Sequence, residues 1–179
     1  MTDSVRMPDV IAAVRRLPAG SAVIVRHRDD NARARLASVL SRVARRRRIV
    51  VLVAGDWRLA ARLRLDGVHL PERVARRGVA SGLKLWARRR LMSVAAHGAS
   101  GVRRAAAIGA DVCILGAILP TASHPERSAL GRVRSADILR HARVPTLALG
   151  GIASATLVQL NGLRIAGVAG VGFAARAQN

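Results

Sequence analysis

The sequence is almost without lysine. Lys84 stands alone, so 30 of the 31 basic residues are arginine. There is no tyrosine, one phenylalanine and two tryptophans, an aromatic share of 2%. Acidic residues are also scarce: ten of them against 31 basic ones leave a formal net charge of +21. Each shortage excludes something. A single cysteine, Cys113, admits no internal disulfide, and its place in an apolar run marks a buried structural thiol. So few aromatics argue against the stacking platforms that hold single-stranded nucleic acid. Arginines interrupt every apolar run before the roughly 18 residues a membrane span needs, so no transmembrane helix and no membrane contact are expected. Met1 to Asp9 lacks the apolar core of a signal peptide. The expectation is a cytoplasmic protein.

The surplus of arginine has two readings. Arg45 to Arg48 and Arg88 to Arg90 form unbroken runs that could be an electrostatic footprint for nucleic acid. Arginine is nevertheless spread over nearly every segment, and no helix-turn-helix, zinc or RNA-binding motif is present. The runs therefore read as solvated helix faces in a chain that uses arginine for lysine. No specific nucleic-acid partner is expected, and only weak non-specific adhesion to polyanions follows from the charge.

A length of 179 residues with 51% hydrophobic content suits one domain with a sizeable core. Short apolar runs alternate with amphipathic stretches. The runs Ala22 to Val25, Ile49 to Val53, Gly67 to Leu70, Leu91 to Ala96, Val112 to Leu115, Thr146 to Leu149 and Gly167 to Val171 read as strands. Between them, helical spacing predicts helices over Asn31 to Arg45, Trp57 to Leu63, Ser100 to Ile108, Ser135 to Ala142 and Ser154 to Leu160. Pro8-Asp9 opens a further helix over Val10 to Leu17. Such alternation implies parallel strands joined by right-handed crossovers. A weak repeat supports a closed array of βα units. Leu65-Asp66-Gly67-Val68, Ala110-Asp111-Val112 and Ile165-Ala166-Gly167-Val168 recur after 45 and then 55 residues. The fold class expected is a TIM-type (β/α)₈ barrel in one domain, residues 1–179, that lacks most of its first strand, Thr2-Asp3 being the stub. An open barrel exposes strand edges, which invites a homodimer.

In such a barrel the acting side chains lie at the C-terminal ends of the strands. Arg26, His27 and Arg28, then Asp56, His69, Glu72, His97, Thr121, Ser123 and His124 all fall there. The strongest local signal is Pro145 to Ser154, an apolar strand that runs into Gly150-Gly151 and then a helix start. Glycines let backbone approach a ligand, and free N–H groups at a helix N-terminus favour an anion. Gly172, after the last strand, supplies a second set of N–H groups. A small phosphorylated ligand is the expected partner.

These residues resemble the thiamine phosphate synthase and thiazole tautomerase family. The matching stretches are Asp66 to Leu70, Val94 to His97, Gly109 to Asp111, Pro120 to Pro125, Leu130-Gly131 and Ala148 to Ile152, in family order over about residues 20 to 173. The resemblance implies a (β/α)₈ barrel in which a synthase joins a pyrimidine diphosphate to thiazole phosphate and releases pyrophosphate with Mg²⁺. It implies catalytic or diphosphate-binding roles for Arg26, Arg28, His97 and His124. It implies thiazole-phosphate binding by Thr121, Ser123, Gly150, Gly151 and Gly172.

The match is uneven. Where the family has Gln-Leu-Arg-Glu-Lys, this chain has Ile24-Val25-Arg26-His27-Arg28, so Arg26 is kept and Arg28 stands for the lysine. The family's Asn-Asp pair falls on Ala54-Gly55 and its second Mg²⁺ aspartate on Val74, which leaves Asp56 and Glu72 as the nearby metal candidates. The family's serine is Ala95, its lysine is His124, and the tautomerase histidine falls on Ala117. The expected function is a divergent thiamine phosphate synthase with weakened turnover. The alternatives are a non-catalytic phosphate-binding or regulatory relative, a thiazole tautomerase-type protein, and an arginine-rich nucleic-acid-binding barrel.

Overall fold

A computed structural model of the chain describes residues 1–3, 7, 9–27, 29–121 and 128–171. In chain order the elements are α1 (Val10–Arg16), β1 (Ala22–Val25), α2 (Asp30–Arg47), β2 (Val50–Ala54), α3 (Trp57–Arg62), β3 (Gly67–Leu70), α4 (Glu72–Arg76) and α5 (Ser81–Ala87). They continue with β4 (Leu91–Ala96), α6 (Ala99–Ala107), β5 (Val112–Gly116), α7 (Gly131–Arg140), β6 (Thr146–Leu149), a 3-10 helix (Ser154–Leu160) and β7 (Gly167–Ala169). Contacts group them into two units. One holds Met1–His69, Ala80–Leu91 and the segment from Val171; the other holds Leu70–Val79 and Met92–Gly170.

In the first unit β1, β2 and β3 are parallel neighbours, with Ala22 opposite Val50 and Leu52 opposite Gly67. These strands form because most of their residues are β-branched or leucine, the pattern of a sheet covered on both faces, with His69 the one polar side chain among them. Val25, Val51 and Val53 from the strands pack with Val14 of α1, Leu40 of α2, Leu59 of α3 and Leu65 into one core. Aspartates start the helices. Asp9, Asp29 and Asp56 each accept a hydrogen bond from the backbone N–H three residues on, at 2.8, 2.6 and 2.9 Å. Such a cap stabilises by about 1 kcal/mol. Two helices end less comfortably. Arg48 and Arg64 take left-handed φ angles of 54° and 51°, where a residue with a Cβ costs about 1–2 kcal/mol more than glycine. Thr2 sits beside β1 where the strand stub was expected. Its N–H donates to the Ile24 carbonyl at 2.9 Å and its Oγ1 accepts from the Arg26 N–H at 2.9 Å.

In the second unit β4, β5, β6 and β7 are parallel neighbours, with Ser93 opposite Val112, Cys113 opposite Thr146 and Leu147 opposite Gly167. Val94, Ala96, Ile114, Leu115 and Ala148 are buried along these strands. The Cys113 side chain is fully buried, and burial, aided by the Glu72 carboxylate, pushes its thiol up to about 12. A thiol reagent at pH 8 should therefore label Cys113 only as fast as the chain unfolds, and fast labelling of native protein would contradict its placement.

The sequence repeat has a structural cause. Asp66 and Asp111 each sit just before a strand and receive the N–H of the preceding strand on Oδ2: Val51 at 2.7 Å and Met92 at 2.7 Å. Their own N–H groups bond back to the carbonyls of Val51 and Met92 at 3.1 and 2.9 Å. In the third copy Ala166 keeps only the backbone half, donating to the Thr146 carbonyl at 2.8 Å. The repeated aspartates hold strand entries together and are far along the strands from the expected site.

Several expectations need correction. Helices α4 and α5 were not foreseen, and α7 starts at Gly131 rather than Ser135. Ser154–Leu160 forms a 3-10 helix, and β7 ends at Ala169. Among the described residues, no helix is long and apolar enough to cross a membrane.

Candidate functional site

The loops after β5 and β6 interlock within the second unit. The N–H of Ile118 donates to the Leu149 carbonyl at 2.9 Å, and that of Leu119 to the Gly150 carbonyl at 3.2 Å. Gly150 and Gly151 have φ of 97° and 67°. A Cβ on Gly150 would lie 2.6 Å from the Ala117 Cβ, and one on Gly151 would lie 2.4 Å from the Pro120 carbonyl oxygen. Only glycine fits at both places. The pair is therefore demanded by close packing of two loops, a reason the sequence does not display.

Thr156 was missed by sequence reasoning. Its Oγ1 accepts from the Ala153 N–H at 2.8 Å and lies 2.8 Å from the Gly151 carbonyl, which it can reach as donor. It braces the segment that follows the glycines. This also changes the expected helix N-terminus. The helix is a short 3-10 turn, and the N–H of its cap residue Ala153 is already taken by Thr156. Thr121 lies next to this packed segment and is half-buried. Ser123, His124 and Gly172, like Arg28 in the first unit, lie outside the described residues.

After β4 the second unit joins two expected site residues. Glu72, at the start of α4, accepts on Oε2 from the His97 N–H at 3.0 Å and pairs with His97 Nδ1 at 2.5 Å. Its Oε1 receives Arg76 Nε at 3.2 Å. Gly101 allows the approach, since a Cβ there would come within 3.1 Å of Glu72 Cδ. Glu72 thus orients His97, whose ring is more than half exposed, and leaves Nε2 as its outward nitrogen. A carboxylate-held imidazole of this kind can donate to, or take a proton from, a bound group.

The first unit places Arg26, Asp56 and His69 at the C-terminal ends of its strands. Asp56 is committed: Oδ1 caps α3, and Oδ2 lies 3.6 Å from the Arg33 guanidinium. Arg33, also unforeseen, is mostly buried. It reaches the His27 carbonyl at 3.1 Å and Asp30 at 2.8 Å, and its Nε has no partner. His69 is buried, and burial, then the Met1 ammonium and Arg26, push its pKa down to about 4. It is a neutral core histidine, not an acid–base group for neutral pH.

The expected metal roles do not fit. Both oxygens of Asp56 and both of Glu72 already serve as a cap or ion-pair partners. Among the described residues no three His, Cys, Asp or Glu side chains come together. Mg²⁺ needs free hard oxygens in near-octahedral array. A groove of about 490 Å³ lined by Arg143, Thr146 and Arg164 opens at the entry to β6, the strand end opposite the glycine pair, and holds none of the expected site residues.

Comparison with known proteins assigns the chain. Residues 2–173 match the model of the thiamine monophosphate synthase family. A Geobacter sulfurreducens protein assigned as a thiamine-phosphate synthase is 34% identical over 176 residues, which is 90% of this chain and 77% of that protein. The thiamine-phosphate synthase of Lactococcus lactis is 26% identical, covering 86% of this chain and 71% of its own. Among solved structures, the thiamine phosphate pyrophosphorylase of Pyrococcus furiosus superposes with a TM-score of 0.78 at 19% identity, over 96% of this chain and 83% of that one. That likeness gives the parallel strands and their helices as a TIM-type (β/α) barrel fold. By its family match across residues 2–173, the chain belongs to the thiamine monophosphate synthase family.

Proposed function

We propose that the chain binds a thiazole phosphate-like ligand on the loops after β5 and β6 and serves thiamine biosynthesis as a slow synthase-type transferase. The observation that carries the reading is the interlocked glycine pair. Gly150 and Gly151 expose backbone in a rigid turn held by Ile118, Leu119 and Thr156, and backbone N–H groups without side-chain cover suit a phosphate. Thr121, Ser123 and Gly172 are assigned to the same ligand. Arg26, Arg28, His97 and His124 are assigned to the pyrimidine diphosphate, as charge partners or proton donors for the leaving pyrophosphate.

Slow turnover follows from the engaged carboxylates. The reaction needs the pyrimidine carbon–oxygen bond to break, with negative charge collecting on pyrophosphate, before the thiazole nitrogen attacks the methylene carbon. Arginine and histidine can stabilise part of that charge, but Asp56 and Glu72 are already engaged as a helix cap and ion-pair partners, which weakens them as a cation site. The same observation favours a second reading, a phosphate-binding regulator without turnover.

Calorimetric titration with thiazole phosphate tests the binding. Saturable one-site heat is expected, with heat-stability rising as ligand is added. Absence of both would end the reading.

A further inference from the structure

The cationic charge of the first unit collects at one edge. The chain enters β1 after Arg15 and Arg16, the last residues of α1, and enters β2 after Arg45 to Arg48 at the end of α2. It enters β3 after Arg62 and Arg64, and reaches Leu91 after Arg88 to Arg90. Hydrogen bonds align these entries side by side. Val50 N–H donates to Ser21 O at 2.9 Å, Asp66 N–H to Val51 O at 3.1 Å, and Leu91 N–H to Asp66 O at 2.9 Å. All of these arginines are exposed, and among the described residues none of them forms an ion pair. The only acid among them is Asp66, whose carboxylate is held by the Val51 N–H.

Helix geometry explains part of this. Cations at helix C-termini are favoured by the dipole, but that accounts for one or two per helix and not for four in a row. Arg48 and Arg64 run against local preference, since both occupy left-handed positions where glycine is the comfortable residue. Charge at this edge is present despite backbone strain.

We propose that this edge is a binding surface for the phosphodiester backbone of nucleic acid, without base readout. Arginine forks match phosphate oxygens bidentately, and among the described residues no aromatic ring is fully exposed to stack on bases. With strands about 4.8 Å apart, four aligned entries span about 15 Å, the reach of about four phosphates along one strand.

The test is fluorescence anisotropy of a mixed-sequence 20-mer, single-stranded and duplex, over a salt series. A log–log salt slope of about −3 is expected for the native chain. Arg45→Glu/Arg46→Glu/Arg47→Glu should weaken binding at least about tenfold and flatten the slope by roughly two. Arg103→Glu/Arg104→Glu/Arg134→Glu, with the same charge change on exposed residues of the other unit, should change little. Arg48→Gly and Arg64→Gly should raise Tm by about 2–8 °C each while weakening binding, a trade that no folding defect can mimic. Equal loss from both triple variants would reduce the effect to net charge and overturn the proposal. Equal competition by polyglutamate or anionic lipid vesicles, at matched charge, would overturn the assignment to nucleic acid.

Discussion

Gly151→Ala should lower stability by about 3 kcal/mol, the strained φ contributing about 1–2 and the overlap with Pro120 a further 1–3. For a chain of this size that is a fall in Tm of about 6–12 °C. The two terms can be separated. Gly78 has φ of 88° with open space around its Cβ position, so Gly78→Ala carries strain alone and should cost about 1 kcal/mol. Differential scanning calorimetry of the two variants checks the difference. If they lose equal stability, the two loops do not interlock as described. If Gly151→Ala also abolishes thiazole phosphate binding at a temperature where it remains folded, the turn is the binding element as well as a packing device.

Acid should weaken the fold through His69. Its folded pKa of about 4 lies below the ordinary 6.5, so between these values the unfolded chain binds a proton that the folded chain refuses. Stability is therefore complete above pH 6.5 and is lost as pH falls toward 4. The loss attributable to His69 reaches about 2.5 kcal/mol at pH 4.5. The Met1 ammonium, pushed down to about 6 by burial, acts in a higher window. Urea midpoints from pH 7.5 to 4.5 should fall for the native chain and fall less for His69→Gln. Parallel curves would mean that His69 accepts a proton in the folded state.

The sequence made the strands plain and hid much else, for physical reasons. β1, β3, β4 and β6 lie on the residues expected because buried parallel strands are short, mostly apolar runs set between helical stretches. Helices α4 and α5 escaped because they are short and start after Pro71 and Ala80 with no side-chain cap to announce them, unlike the Asp-capped α1 and α3. Exposed Val133 blurred the start of α7 by placing an apolar residue on its outer face. At the site, the glycine pair was legible as a special turn, but its cause, the apposed loop at residues 117–120, is a tertiary fact. Asp56 could have been read as a helix cap from its place just before α3. The grip of Glu72 on His97 joins residues 25 apart, and no local pattern announces it.

The central claim is that the loops proposed for thiazole phosphate are kept, while the family's Mg²⁺ carboxylate positions hold Ala54, Gly55 and Val74 and the nearby Asp56 and Glu72 are engaged as a cap and ion-pair partners. A product assay with purified protein, pyrimidine diphosphate and thiazole phosphate, run with Mg²⁺ and with a chelator, tests it most directly. The account predicts slow product formation at a rate indifferent to Mg²⁺. A robust rate that appears only with Mg²⁺ would contradict it.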